Sequence, residues 1–309
     1  MTERRAHSSF AEVTATSPVG DVPGAHTCDL AREWDGPGVP HGGVLVAVAL
    51  RALQAELGDA RYVLRSATST FCRRVGAHDL VVEAEVLRRG NLVAQARGEL
   101  RPRAHIGTGV EVSATFGRSR TDGLAFVDAA PPDVAPPQDC EPETAPSQLW
   151  APDSPPSIFD QFETRRALGC YPWEPEWAPG PARFVRWMRY RNGAGSGAGP
   201  FDRIALVPPA DLPGPSVWTR LGPDTPLLFL NSLELSMRFL EDVHDEWLLC
   251  DYRARHLGDG FCLTESDIWS SGRLVATCSQ SMLLRSARPG PGGPQTGTQP
   301  SPRSPGTGS

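Results

Sequence analysis

Ten consecutive residues, Val44 to Leu53, carry a single charge, at Arg51. Read at helical period the stretch is apolar nearly all round, so the helix it forms has to be enclosed, not laid on a surface by one face. Gly42 and Gly43 sit at its start. Strand candidates follow at Tyr62–Phe71, Leu80–Leu87, Leu92–Leu100 and Val110–Phe116, with β-branched content and partial alternation. A buried helix followed by a run of antiparallel strands predicts an α+β unit in which the sheet wraps the helix.

The unit occurs twice. The second half offers Phe184–Tyr190, a short apolar run at Ile204–Val207, and strands at Leu227–Phe239, Trp247–Arg255, Phe261–Trp269 and Leu274–Leu284. Phe71 and Gly90 are 19 residues apart, as are Phe239 and Gly258, and an offset of 168 carries Ser66–Gly117 onto Glu234–Arg285 without a gap. Residues 1–24 form an N-terminal segment, 25–118 the first unit and 158–286 the second. Between them, 119–157 is a Pro-rich linker, since runs such as Ala130-Pro131-Pro132 cannot enter a helix or a central strand. Residues 287–309 are mostly Gly, Pro, Ser, Thr and Gln, with too little apolar content to order, and truncation after Arg288 should cost nothing. The two sheets are expected to join edge to edge within one chain, with Val44–Leu53 and the Ile204 segment on the same side.

Composition removes several function classes. Net charge is −6 and the pI is near 5.7, which argues against a nucleic-acid partner. All 30 basic residues are Arg, so no lysine base or Schiff base is available. The seven cysteines are scattered with no CxxC, and the histidines have no metal-ligand spacing, so neither a metal nor a cofactor is expected. No apolar run approaches the ~20 residues of a membrane span, and the expectation is a cytoplasmic protein without a membrane partner. No Rossmann fingerprint, P-loop or GxSxG elbow is present.

Three stretches carry a resemblance: Trp34-Asp35-Gly36-Pro37-Gly38-Val39-Pro40-His41-Gly42-Gly43, then Ser232-Leu233-Glu234-Leu235-Ser236-Met237, then Gly272-Arg273-Leu274-Val275-Ala276 through Gln280 to Arg285. Their order and spacing, over roughly residues 25–118 and 158–286, resemble the fused acyl-CoA thioesterase II type. The resemblance implies a double hotdog fold, two helix-wrapping antiparallel sheets joined into one. It also implies hydrolysis of acyl-CoA or acyl-carrier thioesters by water, at an acid, a Gln and a hydroxyl residue in the second half. Carried over, the acid falls on Glu234, the Gln on Gln280, and the hydroxyl position on Arg255, which departs from the pattern. In the first half the offset of 168 places Ser66, Leu87 and Val112 at these positions, without the polar set.

Glu234 would take a proton from the attacking water. Arg255 beside it would hold it ionised or stabilise the oxyanion. His41, Gly42 and Gly43 are expected to bind substrate, the N–H groups at the helix start facing the thioester carbonyl. The plain alternative for the site is an ion pair between Glu234 and Arg255, with Gln280 facing solvent. Asp211, after Pro208-Pro209-Ala210, reads as a turn or capping residue. The alternative function is an acyl-group binding protein on the same fold without catalysis. Assembly of such double units into a homo-oligomer is left open.

Overall fold

The computed structural model describes residues 8–120, 123–143, 155–194, 201–222, 225 and 228–286. The expectation of a disordered tail at 287–309 lies outside them.

The first half opens with α1 (Phe10–Val13), β1 (Ser17–Pro18) and β2 (Ala25–Asp29). A two-stranded hairpin of β3 (Asp35–Gly36) and β4 (Val39–Pro40) leads into α2 (Gly42–Leu57). Eleven of the sixteen residues of α2 are buried, so the helix is enclosed on more than one face, as its composition requires. Val44, Val46, Val48, Leu50 and Leu53 are all fully buried, each contributing ~1.5–3 kcal/mol of hydrophobic stabilisation. Gly58 ends the helix in the left-handed region (φ 62°), returning its N–H to the Gln54 carbonyl at 3.1 Å. The one charge in the run, Arg51, reaches out to Asp202 of the second half at 2.6 Å. Four strands then wrap α2: β5 (Tyr62–Phe71), β6 (Asp79–Arg89), β7 (Val93–Pro102) and β8 (Val110–Arg118).

The second half has β9 (Phe162–Leu168) and β10 (Arg183–Tyr190), then a 3-10 turn at Arg203–Leu206 that runs into α3 (Val207–Ala210), then α4 (Gly214–Leu221). It closes with β11 (Leu228–Phe239), β12 (Leu248–Gly258), β13 (Phe261–Ser270) and β14 (Arg273–Ser286). One helix in the first half is thus replaced by two short ones in the second. Pro208, Pro209 and Pro213 lack the N–H groups a continuous helix would use.

All the strands but β3 and β4 form one sheet, ordered β1-β2-β6-β7-β8-β5-β11-β14-β13-β12-β10-β9. The halves read outward from the seam in the same order, β5-β8-β7-β6-β2 against β11-β14-β13-β12-β10. This is a double hotdog, α+β, with both helix layers on the same face. At the seam Thr68 pairs with Ser236, residues 168 apart whose hydroxyls meet at 3.1 Å, so a pseudo-twofold axis passes between them. The offset is not gapless. Ser66 pairs with Thr115 and Glu234 with Ser281, so the offset is 168 on the seam strands and 166 on the last strands. The counterpart of Gln280 is therefore Ala114, not Val112.

The linker is not wholly detached from the second half. Pro142 bridges Arg165 of β9, and the Glu143 N–H donates to the Thr164 carbonyl at 2.9 Å. Among the described residues no helix is long and apolar enough to cross a membrane.

Candidate active site

The break between α3 and α4 exposes one residue to the start of α2. Asp211 caps α3 (φ −88°, ψ 30°), 168 residues after Gly43, so the two occupy matching places in the two halves. The Gly43 N–H donates to Asp211 Oδ2 at 2.6 Å. This joins the positive end of one helix layer to a carboxylate of the other.

The approach is so close that only glycine fits. A Cβ on Gly43 would lie 2.9 Å from Pro208 Cα and 3.0 Å from Asp211 Cβ. One on Gly42 would lie 2.9 Å from Asp211 Oδ2 and 3.0 Å from Phe71 Cε1.

Two side chains from the sheet complete the cluster. Ser232 Oγ donates to Asp211 Oδ1 at 3.2 Å, and Gln280 Nε2 donates both to Asp211 Oδ1 and, at 2.7 Å, to Ser232 Oγ. The Asp211 side chain is only 4% exposed, and Gln280 is buried. Gln280 Oε1 has no partner, nor has the buried hydroxyl of Thr264, which faces Gln280 across the β13–β14 pair. His41 Nε2 stands 3.7 Å from Asp211 Oδ2, and its Nδ1 is buried without a partner. Burial pushes the Asp211 carboxyl up, against the pull of His41 and the hydrogen bonds from Gln280, Gly43 and Ser232. Burial likewise holds His41 below the usual histidine range, against the nearby Asp211 charge.

Burial raises the proton affinity of this carboxylate, while the three donors and the helix N-terminus oppose that rise and set its orientation. A sequence profile of the acyl-CoA thioesterase C-terminal domain matches residues 137–284, and one of the N-terminal domain matches residues 30–117. The chain belongs to the acyl-CoA thioesterase family. Among curated proteins none matches the sequence significantly. The fold is shared with solved structures. A conserved protein with a hot dog fold from Alicyclobacillus acidocaldarius is 20% identical, with a TM-score of 0.75 over 92% of this chain and 100% of its own. Acyl-CoA thioesterase II TesB2 from Mycobacterium marinum is 22% identical, with a TM-score of 0.67 over 90% of this chain and 99% of its own.

Within this thioesterase fold the residues expected from sequence separate. Gln280, His41, Gly42 and Gly43 come together around Asp211. Glu234 does not. A β-bulge at Leu233 resets the alternation of β11, so Ser232 faces inward, paired with Met282, while Glu234 pairs with Ser281 and Thr70 and is exposed. Its neighbour there is the Ser236 hydroxyl, at 3.4 Å. Arg255 is itself the extra residue of a bulge in β12 and turns outward to Glu265 at 2.5 Å, both partly exposed. The expected convergence of Glu234 with Gln280 is thus corrected to Asp211 with Gln280. The alternative ion pair between Glu234 and Arg255 is not formed either.

Two residues of the cluster were missed. Asp211 is the cap that its sequence context predicts, and its place 168 residues after Gly43 marks it as that glycine's counterpart in the second half. Ser232 lies inside the quoted stretch, two residues from the acid chosen, and only the bulge decides between them. The matching bulge at Arg65, between Leu64 and Ser66, occupies the equivalent place in the first half.

Proposed function

We propose that the chain hydrolyses acyl-CoA thioesters with water activated by Asp211, Gln280 and Ser232. The observation that carries this reading is the closed hydrogen-bonded set of these three side chains against the N-terminus of α2.

Each carboxylate oxygen has two acceptor positions. Both on Asp211 Oδ1 are taken by Ser232 and Gln280, and one on Oδ2 by Gly43, which leaves one on Oδ2 for a water. Asp211 takes a proton from that water as its oxygen attacks the thioester carbonyl carbon. The unpartnered Gln280 Oε1 and Thr264 hydroxyl supply further polar contacts beside it. Negative charge builds on the carbonyl oxygen, and the Gly42 N–H, in the first turn of α2, is the donor suited to it. The Gly43 N–H is already committed to the carboxylate. Collapse of the tetrahedral intermediate breaks the C–S bond, and the proton held by Asp211 passes to the departing thiolate. The products are the free acid and the thiol.

The alternative, an acyl-group binding protein, would be favoured by an altered site, with Glu234 in the acid position and Arg255 in the hydroxyl position. With both outside the cluster, that support is gone. The test is thiol release from a panel of acyl-CoA thioesters. The wild-type chain should hydrolyse at least one of them, and Asp211→Asn should lower the rate by about 10²- to 10⁴-fold, the range for losing a general base. Full activity in Asp211→Asn would overturn the proposal.

A further inference from the structure

The Asp211 N–H keeps its helical bond to the Val207 carbonyl at 3.1 Å, but the carbonyls of Pro209, Ala210 and Leu212 around it have no helical donor, and the sheet supplies replacements. In a continuous helix the Pro209 carbonyl would accept from residue 213, but Pro213 has no N–H. The Tyr252 hydroxyl of β12 donates to it instead, at 2.7 Å. The Ser266 hydroxyl of β13 donates to the Ala210 carbonyl at 3.2 Å, and Arg186 Nη2 of β10 donates to the Leu212 carbonyl at 3.3 Å. Asp211 is thus bracketed by three carbonyls, each held by a buried side chain from a different strand.

These side chains also support one another. Tyr252 pairs with Ser266 across β12 and β13, and the Arg186 guanidinium lies 5.3 Å from the Tyr252 ring centroid. Glu143 approaches Arg186 at 4.0 Å and accepts from the Tyr171 hydroxyl at 2.8 Å, so the interdomain linker contributes the counter-charge.

The first half is an internal control. Offset by 168, Tyr252 corresponds to Ala84 and Ser266 to Gly98. Arg186, which pairs with Cys250, corresponds to His26, which pairs with Val82. There α2 is unbroken; Ala84 and Gly98 have no polar side chain, and the His26 ring turns to Glu56 at 3.4 Å. The polar set occurs where the helix is interrupted and a carboxylate must be held.

We infer that Tyr252, Ser266 and Arg186 are positioning residues that fix the Asp211 carboxylate by gripping the carbonyls on either side of it. The inference rests on the hydrolase reading above. The loss of a group that sets geometry should lower turnover and leave affinity alone, because a displacement of ~1 Å is enough to cost ~10²-fold.

The experiment compares Tyr252→Phe, Ser266→Ala and their combination with the wild-type chain, by steady-state acyl-CoA hydrolysis and by backbone hydrogen exchange over residues 207–214. Expected are a fall in kcat of about tenfold for each single variant and more for the pair, with KM within about twofold, and faster exchange in that segment. Ser266→Thr, which keeps the hydroxyl, should restore most of the rate. For Arg186 the variant is Arg186→Gln with Glu143→Gln, which leaves neither charge buried alone. If Asp211→Asn abolishes hydrolysis while the Tyr252→Phe/Ser266→Ala pair keeps wild-type kcat, or loses only thermal stability, this inference is overturned by itself. If the wild-type chain hydrolyses nothing, the functional reading falls, and unchanged exchange in the pair would then overturn the gripping role as well.

Discussion

At the scale of single residues, the central quantity is the proton affinity of Asp211. Its carboxyl is pushed up by burial, so the ionised base forms at higher pH than an ordinary aspartate requires. The acid limb of kcat/KM should therefore lie above the usual aspartate range, and a pH–rate profile checks it; a limb at an ordinary value would count against Asp211 as the base. The same shift acts on stability with the opposite preference. A carboxyl whose folded pKa is raised stabilises the protein fully below its unfolded value, and that contribution is lost as pH rises through the folded one. Asp211→Asn should accordingly flatten the dependence of Tm on pH in that window. Gln280→Ala removes a donor from the carboxylate and should lower kcat by about ten- to a thousandfold. Glu234→Ala and Arg255→Ala, exposed on the outer face, should stay within about twofold of wild type, since exposed positions of this kind contribute little.

At the scale of elements, the site depends on how closely α2 can approach the broken helix. Gly43→Ala places a methyl 2.9 Å from Pro208 Cα, a backbone atom that cannot swing aside. The expected cost is ~1–3 kcal/mol of stability, as for other overpacked positions, together with a loss of turnover because Asp211 is pushed off its donors. Thermal unfolding and steady-state rates on the same variant measure both. A Gly43→Ala protein with native Tm and native kcat would show that the approach is looser than described. Bulges are the other decisive elements. The one at Leu233 changes which side chains of β11 reach the interior, and the one at Arg255 ejects that residue from the ladder.

At the scale of the whole molecule, one site is built from both halves. Gly43, His41 and Gly42 come from the first half, and Asp211, Ser232 and Gln280 from the second. The pseudo-twofold relation would generate a second site with Gly43, Leu64 and Ala114 in place of the polar set, and it holds no base. One catalytic site per chain is the expected stoichiometry, checked by active-site titration. Neither half expressed alone should hydrolyse thioesters, since the carboxylate would lose its helix N-terminus and β5 and β11 would become exposed edges.

Much of this was legible in the chain itself. The all-round apolar run at Val44–Leu53 demands enclosure, and strand spacing with an offset of 168 implies a duplicated sheet; both follow from local pattern and burial, which one sequence carries. Gln280 and the His41-Gly42-Gly43 stretch were legible too, as motifs. What sequence could not determine was which acid meets them. Alternation along a strand has period two, so one extra residue exchanges inward and outward faces, and nothing in Leu233 or Arg255 announces a bulge. A two-residue difference in the last strands moved the counterpart of Gln280 from Val112 to Ala114. The contact of Asp211 with the start of α2 was decided by tertiary structure alone, because the offset of 168 matches Asp211 to Gly43 without bringing the two together. Proline could be seen to stop the helix there, but only packing of one half on the other turns that stop into a held carboxylate.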